Sequence, residues 1–130
     1  MAKLQVIADT SFLMIPGLFG VDIVSELDRL LERQYELAIP KPVKEELEKL
    51  AARGKPVERS AARLGLALAA RGKIIESAGA ADEAILKLAS RGGCAVGTTD
   101  AALRKGLRRQ SVPVIYLRGK SCLEMMGQIR

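Results

Sequence analysis

The sequence predicts an α/β fold, in which helices cover both faces of a parallel sheet of about five strands. Short aliphatic runs alternate with amphipathic helical patterns along the 130 residues, which is the order expected of βαβ units. The chain is 48% hydrophobic but only 3% aromatic, so we expect an aliphatic core. No repeat, low-complexity tract or linker interrupts the pattern, and residues 1–130 are therefore expected to form a single domain.

The first predicted strand covers Leu4–Ala8 and ends abruptly at Asp9. A buried parallel strand tolerates a carboxylate poorly except at its carboxyl end, which is the edge where ligands bind in open α/β sheets. The structural alternative is that Asp9 caps a short helix beginning near Thr10. The next residues, 12–20, contain one Pro and two Gly, and they predict a loop or a short helical turn.

The later elements follow from periodicity and from the positions of Pro and Gly. Further strands are predicted at residues 36–39, 73–76, 94–97 and 112–117. Helices are predicted at residues 22–33, 42–53, 57–71, 81–91 and 101–109, and a final helical turn at 122–126. Pro113, at the start of the last strand, indicates an edge strand, because Pro lacks the donor that a central strand needs.

The helix at 57–71 has a predicted buried stripe, and one of its leucines lies outside that stripe. The stripe consists of Val57, Ala61, Leu64 and Leu68, which recur at helical spacing. Leu66 lies off the stripe, either as ordinary surface or as part of a helix-on-helix contact in a dimer.

The net charge of +6 comes entirely from the last thirty residues. This segment has a single acid, Glu124, and seven basic residues: Arg104, Lys105, Arg108, Arg109, Arg118, Lys120 and Arg130. Such a surplus favours a polyanionic partner such as nucleic acid, and the alternative is a merely soluble basic surface. Because aromatic residues are scarce, base stacking on exposed aromatic rings is not expected.

The remaining composition excludes several classes of site. The chain has no His, which excludes Ser–His–Asp triads and His-ligated zinc. Cys94 and Cys122 fit no metal-ligand spacing, and we expect Cys94 to be buried in a strand. Two cysteines and no signal peptide indicate a reduced, cytoplasmic protein, and no run of 18 apolar residues predicts a membrane span.

Four acidic residues are predicted to meet at one edge of the sheet, because right-handed crossovers bring the carboxyl ends of parallel strands together. Asp9 follows the first strand and Asp100 follows the fourth. Asp82 opens the helix before the fourth strand, and Glu46 lies about one turn into the helix after the second. Clustered carboxylates repel and raise one another's pKa. A hard divalent cation resolves that conflict, and oxygen ligands without His or Cys suit Mg²⁺ or Mn²⁺.

Helical geometry separates Glu46 from its neighbours Glu45 and Glu48. At about 100° per residue, Glu46 lies about 85° from the centre of the apolar stripe, Glu48 about 115° away, and Glu45 nearly opposite. Glu46 therefore leans toward the sheet edge, and the other two are expected in solvent. For Asp82 and Asp100 the structural alternative is an N-cap role.

Four short motifs contain these acids. They are Ala-Asp-Thr-Ser-Phe-Leu at 8–13, Pro-Val-Lys-Glu-Glu-Leu at 42–47, Ala-Asp-Glu-Ala-Ile-Leu at 81–86 and Thr-Thr-Asp at 98–100. In this order and at these intervals they resemble the motifs of PIN (PilT N-terminus) domain nucleases, over nearly the whole chain. The closing stretch Val-Pro-Val-Ile-Tyr-Leu-Arg is most similar to stand-alone archaeal PIN proteins related to ribosome-biogenesis nucleases, while VapC toxins share the four acids.

The resemblance implies a three-layer α/β/α fold with strand order 3-2-1-4-5 and a set of site residues. The catalytic residues, which bind one or two Mg²⁺ or Mn²⁺ ions, are Asp9, Glu46, Asp82 and Asp100. Ser11 and Thr98 match the small hydroxyl residues of the family, which orient ligands or water. Thr99 stands where many members carry Asn, and Ala102 where many carry a further acid.

The activity implied by the resemblance is endonucleolytic hydrolysis of RNA, with a role in rRNA processing. The metal lowers the pKa of a bound water, which attacks phosphorus. The basic helix holds the RNA backbone, through Arg104, Lys105, Arg108 and Arg109.

Other functions stay open from the sequence. One is a VapC-type toxin ribonuclease with an antitoxin, and another is a non-catalytic module that binds RNA or protein. A phosphatase of the haloacid dehalogenase type is disfavoured, because Ser11 stands where that chemistry needs a second Asp. A homodimer and a ribosome-assembly partner also stay open, as do the RNA target and the cleavage site.

Overall fold

The computed structural model describes residues 3–129, which form a six-stranded sheet with helices on both of its faces. The strands are β1 (Leu4–Ala8), β2 (Tyr35–Pro40), β3 (Lys73–Ile75), β4 (Cys94–Gly97), β5 (Val114–Arg118) and β6 (Cys122–Met126). The helices are α1 (Thr10–Leu13), α2 (Ile15–Phe19), α3 (Ile23–Leu31), α4 (Lys41–Arg53), α5 (Pro56–Ala69), α6 (Ala81–Ala89) and α7 (Ala101–Arg109). Consecutive residues of β1 and β4 are buried, which requires cover on both faces.

The sheet has the order β3-β2-β1-β4-β5-β6. Its first five strands are parallel, and they confirm the order predicted for five strands. Strand β1 lies in the middle, where Val6 pairs with Leu37 of β2 and with Ala95 of β4. Asp9 therefore leaves the sheet from the carboxyl end of a central strand.

The helical turn predicted at 122–126 is wrong, because these residues form β6, which pairs antiparallel with β5. Gly119 and Lys120 both have positive φ, at 60° and 61°, and this geometry reverses the chain tightly enough for a hairpin. Helix α3 holds the new edge strand, since Arg29 donates to the Leu123 carbonyl at 2.9 Å and Glu26 accepts from the Leu123 amide at 2.8 Å.

The edge position predicted from Pro113 is also wrong, because β5 lies between β4 and β6. Pro113 precedes the first residue of the strand, so its missing N–H removes no donor from the ladder. Its carbonyl accepts a hydrogen bond from the Val96 amide at 3.0 Å. Arg130, part of the predicted basic surplus, lies outside the described residues.

Helix α5 buries only part of the predicted stripe, since Ala61 is buried and Leu68 is half-buried against the core. Val57 is 64% exposed and Leu64 is 49% exposed. The buried positions are Ala61, Ala62, Gly65 and Ala69. The reason is the close approach of α2, since a Cβ on Gly17 would lie only 2.4 Å from the Ala61 Cα. Small residues therefore occupy this interface, and Val57 and Leu64 face outward. Leu66, predicted to lie off the buried stripe, is half-buried against the core.

The other predicted helices and strands lie within about two residues of their observed bounds. The segment 12–20, predicted as a loop or helical turn, is helical: α1 begins at Thr10 and α2 ends at Phe19. Cys94 is buried as expected, and the core is aliphatic apart from Phe12. Within residues 3–129, no helix has the length and apolar character needed to cross a membrane.

Candidate active site

Asp9 is buried at the carboxyl end of β1, where it also caps helix α1. Its Oδ1 accepts a hydrogen bond from the Thr10 amide at 2.8 Å. Its Oδ2 accepts from the hydroxyls of Thr98, at 2.8 Å, and Ser11, at 3.0 Å. The predicted cap role is therefore observed, and three donors fix the orientation of the carboxylate.

The two hydroxyls join the turn after β1 to the turn after β4. Thr98 Oγ1 accepts from the Asp100 amide at 3.0 Å, and Ser11 Oγ accepts from the Thr99 amide at 3.0 Å. Because a carboxylate oxygen can only accept, both hydroxyls donate to Asp9 in these contacts. Thr98 is only 1% exposed, so its hydroxyl is shielded from competing water.

Asp100 is the N-cap of α7, and its Oδ1 accepts from the amides of Ala102, at 2.8 Å, and Leu103, at 3.1 Å. The cap alternative is thus observed for this residue. It is wrong for Asp82, because Ala80 occupies the N-cap position and Asp82 lies in the first turn of α6. Helix capping therefore does not explain the presence of an acid at position 82.

One cavity of about 370 Å³ brings the four predicted acids together. It is lined by Asp9, Glu46, Asp82 and Asp100, which come from four separate segments of the chain. Thr10, Ser11 and Thr99 add oxygen atoms to the same wall. Glu45 and Glu48 are exposed on α4 and do not line this cavity.

The carboxylates interact electrostatically. Partial loss of hydration raises the pKa of Glu46, and the charge of Asp9 raises it further. Partial loss of hydration also raises the pKa of Asp82, followed by the charges of Asp9 and Asp100. Both side chains are exposed by surface area, but the walls of a concave cavity still remove part of their hydration. Ionising the whole cluster therefore costs free energy.

Thr10 carries a buried hydroxyl whose Oγ1 has no hydrogen-bond partner among the described residues. This hydroxyl is close enough to Glu46 to favour its charged form and so oppose the rise in its pKa. No hydrogen bond joins the two groups in this structure, however, and Oγ1 has no partner among the described residues. An unpaired buried oxygen beside repelling carboxylates is consistent with a site that takes a further group.

The donor chemistry fits a hard divalent cation, because the oxygen atoms come from carboxylates and hydroxyls. As the side chains stand, no group of three or more His, Cys, Asp or Glu residues within 3–129 is arranged to hold a metal ion. The Asp9 carboxylate is fixed by hydrogen bonds, whereas the carboxylates of Glu46 and Asp82 have no hydrogen-bond partner among the described residues. Rotation of the Glu46 and Asp82 side chains would therefore change the distances between the acids, with no movement of the backbone.

The predicted nucleic-acid-binding residues lie along α7, which begins beside the cavity at Asp100. Arg104 lies 5.2 Å from the centre of the Tyr116 ring, a cation–π distance. Arg108 donates to the Val112 carbonyl at 3.1 Å. Lys105 and Arg109 are exposed. The structure thus separates two basic residues with structural contacts from two that face solvent.

Part of the cavity wall was not anticipated from the sequence. Its apolar part consists of Met14, Leu18, Phe19 and Leu50. Glu58 also lines the cavity, but its carboxylate accepts from the Lys55 amide at 2.9 Å and so caps α5. The segment 12–20 gave no periodic signal that would separate its outward side chains from its buried ones.

The chain is similar to several known proteins in sequence and in fold. A model of the PIN-like domain family matches residues 6–120. Ribonuclease VapC4 of Methanocaldococcus jannaschii is 33% identical, over 96% of this chain and 98% of its own. Ribonuclease VapC9 of Archaeoglobus fulgidus is 30% identical, over 86% of this chain and 82% of its own.

Two solved structures share the fold. The PIN domain endonuclease Utp24 has a TM-score of 0.76 at 23% identity, covering 97% of this chain and 95% of that one. A domain of a functionally unknown protein from Methanocaldococcus jannaschii has a TM-score of 0.63 at 19% identity, covering 91% and 93%.

Proposed function

The chain belongs to the PIN-like domain family, and from that premise we propose that it is a divalent-metal-dependent endoribonuclease. The observation that carries the proposal is the convergence of four carboxyl groups, from four chain segments, on one cavity. Two relatives named ribonucleases, matched over most of their length, support RNA as the substrate. The proposal includes that residues 1–130 act as a single domain and that the substrate is cellular RNA in the cytoplasm.

The acids have distinct tasks in the proposed reaction. The residues that would hold Mg²⁺ or Mn²⁺ are Asp9, Glu46, Asp82 and Asp100. Asp9 supplies a negative charge that three hydrogen bonds keep in place. Asp100 offers its Oδ2, since Oδ1 is engaged by the helix cap. A bound ion supplies positive charge that acidifies water and offsets the charge of the phosphate.

Ser11 and Thr98 are positioning residues in this proposal, because they act on substrate only through Asp9. The basic helix would bind the RNA backbone through phosphate contacts. Lys105 and Arg109 are the most available for that task, since Arg104 lies against Tyr116 and Arg108 holds the turn at Val112.

The test is cleavage of single-stranded and structured RNAs in Mn²⁺ and in EDTA, by wild type and by Asp9→Asn. We expect wild type to cleave only with metal and Asp9→Asn to lose at least about a hundredfold, more than the loss typical of residues that only support a ligand. Asp22→Asn is the matched control, since Asp22 caps α3 and does not line the cavity. Equal cleavage by wild type and Asp9→Asn, or undiminished cleavage in EDTA, contradicts the proposal.

A second candidate is a toxin ribonuclease of the VapC type, with an antitoxin as partner. The names of the two curated relatives favour it over a role in rRNA processing. Expression of the chain in a host cell distinguishes the two. A toxin arrests growth, and co-expression of a protein from a neighbouring reading frame restores it, whereas an rRNA-processing enzyme alters rRNA precursors without such a partner.

A further inference from the structure

Two large apolar side chains of the cavity wall are exposed to water. Leu18 is 43% exposed and Phe19 is 39% exposed, and both line the cavity that holds the four acids. Large apolar side chains beside a polar reaction centre indicate a ligand that has an apolar face as well as a charged group. A nucleotide has both.

Phe19 is the one exposed aromatic ring of the chain. Of the other aromatic residues, all of which are described, Phe12 is fully buried. Tyr35 and Tyr116 are half-buried, and Arg104 lies over the Tyr116 ring. Scarce aromatic residues made base stacking unexpected from composition, but the one exposed ring lies in the cavity itself.

The backbone that carries Phe19 is held in place. Gly17 packs so closely on α5 that a Cβ there would lie 2.4 Å from the Ala61 Cα. Ile15, at the start of α2, is fully buried. Gly20 ends the helix in the left-handed region at φ 68°, and its amide donates to the Pro16 carbonyl at 3.0 Å. The ring is therefore presented from a preorganised segment, which lowers the entropy lost on binding.

We propose that Phe19 is a substrate-binding residue, which stacks on an unpaired nucleobase next to the scissile phosphate. This inference rests on the proposed ribonuclease function. A base in a duplex already stacks on its neighbours, whereas an unpaired base offers a free face to an aromatic ring. Leu18 adds a second exposed apolar side chain to the same cavity, and the four acids of that cavity are the groups expected to act on the phosphate.

The test measures binding of a labelled single-stranded oligoadenylate by fluorescence anisotropy, in EDTA and in Ca²⁺. We expect Phe19→Ala to weaken binding by about 5- to 150-fold, the range for loss of one base–aromatic stack, and Phe19→Trp to bind like wild type. Leu64→Ala is the matched control, because Leu64 is an exposed apolar residue outside this cavity. Thermal melting of each variant establishes that it is folded.

A second set of RNAs isolates the stack. Replacing single nucleotides by abasic ones should reveal one position at which wild type loses affinity but Phe19→Ala does not, which is the signature of coupling between ring and base. A duplex of the same sequence should bind wild type and Phe19→Ala equally. The same variants in Mn²⁺ should cleave the abasic strand at equal rates.

A failure of the stacking role can be distinguished from a failure of the proposed ribonuclease function. If wild type cleaves RNA but Phe19→Ala changes neither binding nor cleavage site, the stacking role is overturned, and the apolar wall is better explained as a protein-docking surface. Equal losses in Phe19→Ala and Leu64→Ala also overturn it. If wild type neither binds nor cleaves any RNA, both the stacking role and the ribonuclease proposal fall.

Discussion

The side chain of Asp9 shows that a structural role and a functional role are compatible in one residue. It caps α1 through its Oδ1, and its Oδ2 takes the hydroxyls of Ser11 and Thr98. Three donors hold this buried carboxylate in one orientation. Asp9, which caps the first helix, is therefore also the carboxylate of the cavity whose orientation is best fixed.

Glu46 and Glu45 give a sharp test of which acid serves the site. Both are exposed on α4, but only Glu46 lines the cavity. We expect Glu46→Gln to lower the cleavage rate in Mn²⁺ by at least about a hundredfold, beyond the effect of a supporting residue, and Glu45→Gln to cleave near the wild-type rate. Equal losses in the two variants would show that the facing of this helix is misassigned.

Thr98 tests the hydroxyl network. Thr98→Val keeps the shape but removes the donor to Asp9 and the acceptor for the Asp100 amide, both in a buried position. We expect a loss of about 1–3 kcal/mol in the free energy of unfolding and a 10- to 100-fold lower cleavage rate, typical of a residue that orients a ligand. Ser60→Ala removes a hydroxyl at an exposed position of α5 outside the cavity, and it should change neither quantity in denaturant titrations and rate assays.

Helix α5 and strand β6 mark where sequence patterns fail at the scale of elements. The periodic apolar stripe correctly predicted the buried face of helices that bury large residues, such as Ile23 and Leu27 of α3. In α5 close contact selects Ala and Gly, which carry little weight in a hydrophobic pattern, so the outward Val57 and Leu64 misled the prediction. Strand β6 depends on a turn with two positive φ angles, one of them at Lys120. Lys rarely adopts positive φ, so the sequence does not predict this turn.

Helix α7 carries the prediction for RNA binding. Lys105 and Arg109 face solvent, whereas the Arg108 guanidinium is engaged with the Val112 carbonyl. We expect a Lys105→Ala and Arg109→Ala double variant to flatten the log–log salt dependence of single-strand binding by about 1.4, at about 0.7 per lost contact. Arg108→Ala should lower the melting temperature and change the slope less. An unchanged slope in the double variant removes these residues from the RNA interface.

At the scale of the whole molecule, topology explains why four weak signals became one site. The acids lie far apart in sequence, but parallel strands with right-handed crossovers return each segment to the same edge, and the order of the first five strands was readable from alternation and family resemblance. The apolar wall was not readable, because α2 is short and its facing depends on the contact between Gly17 and Ala61. Sequence therefore predicts the acids of the site better than its apolar part.

The pH dependence of stability follows from the cluster as a whole. The fold raises the pKa of Glu46 above its ordinary 4.5, so between that value and the raised one the folded state binds more protons than the unfolded state. Stability therefore falls as the pH rises through this window. In chelator at pH 7, Glu46→Gln should be more stable than wild type by about 0.5 kcal/mol, the scale of exposed charge pairs. The difference should vanish below pH 4.5. A constant difference at all pH values in urea titrations would contradict this origin.

Metal binding should reverse the same repulsion and stabilise the entire fold. An ion that binds only the folded state adds RT ln(1 + [M]/Kd), about 2.7 kcal/mol at a hundredfold excess over Kd. Wild type should therefore melt at a higher temperature in Mn²⁺ than in EDTA, and Glu46→Gln should start higher in EDTA but gain less. Asp9→Asn should also gain less, but it should start lower, because the hydroxyls of Ser11 and Thr98 lose their charged acceptor. If wild type shows no shift at millimolar Mn²⁺ and calorimetry finds no binding, the metal site fails, and a non-catalytic binding module becomes the better account of the cavity.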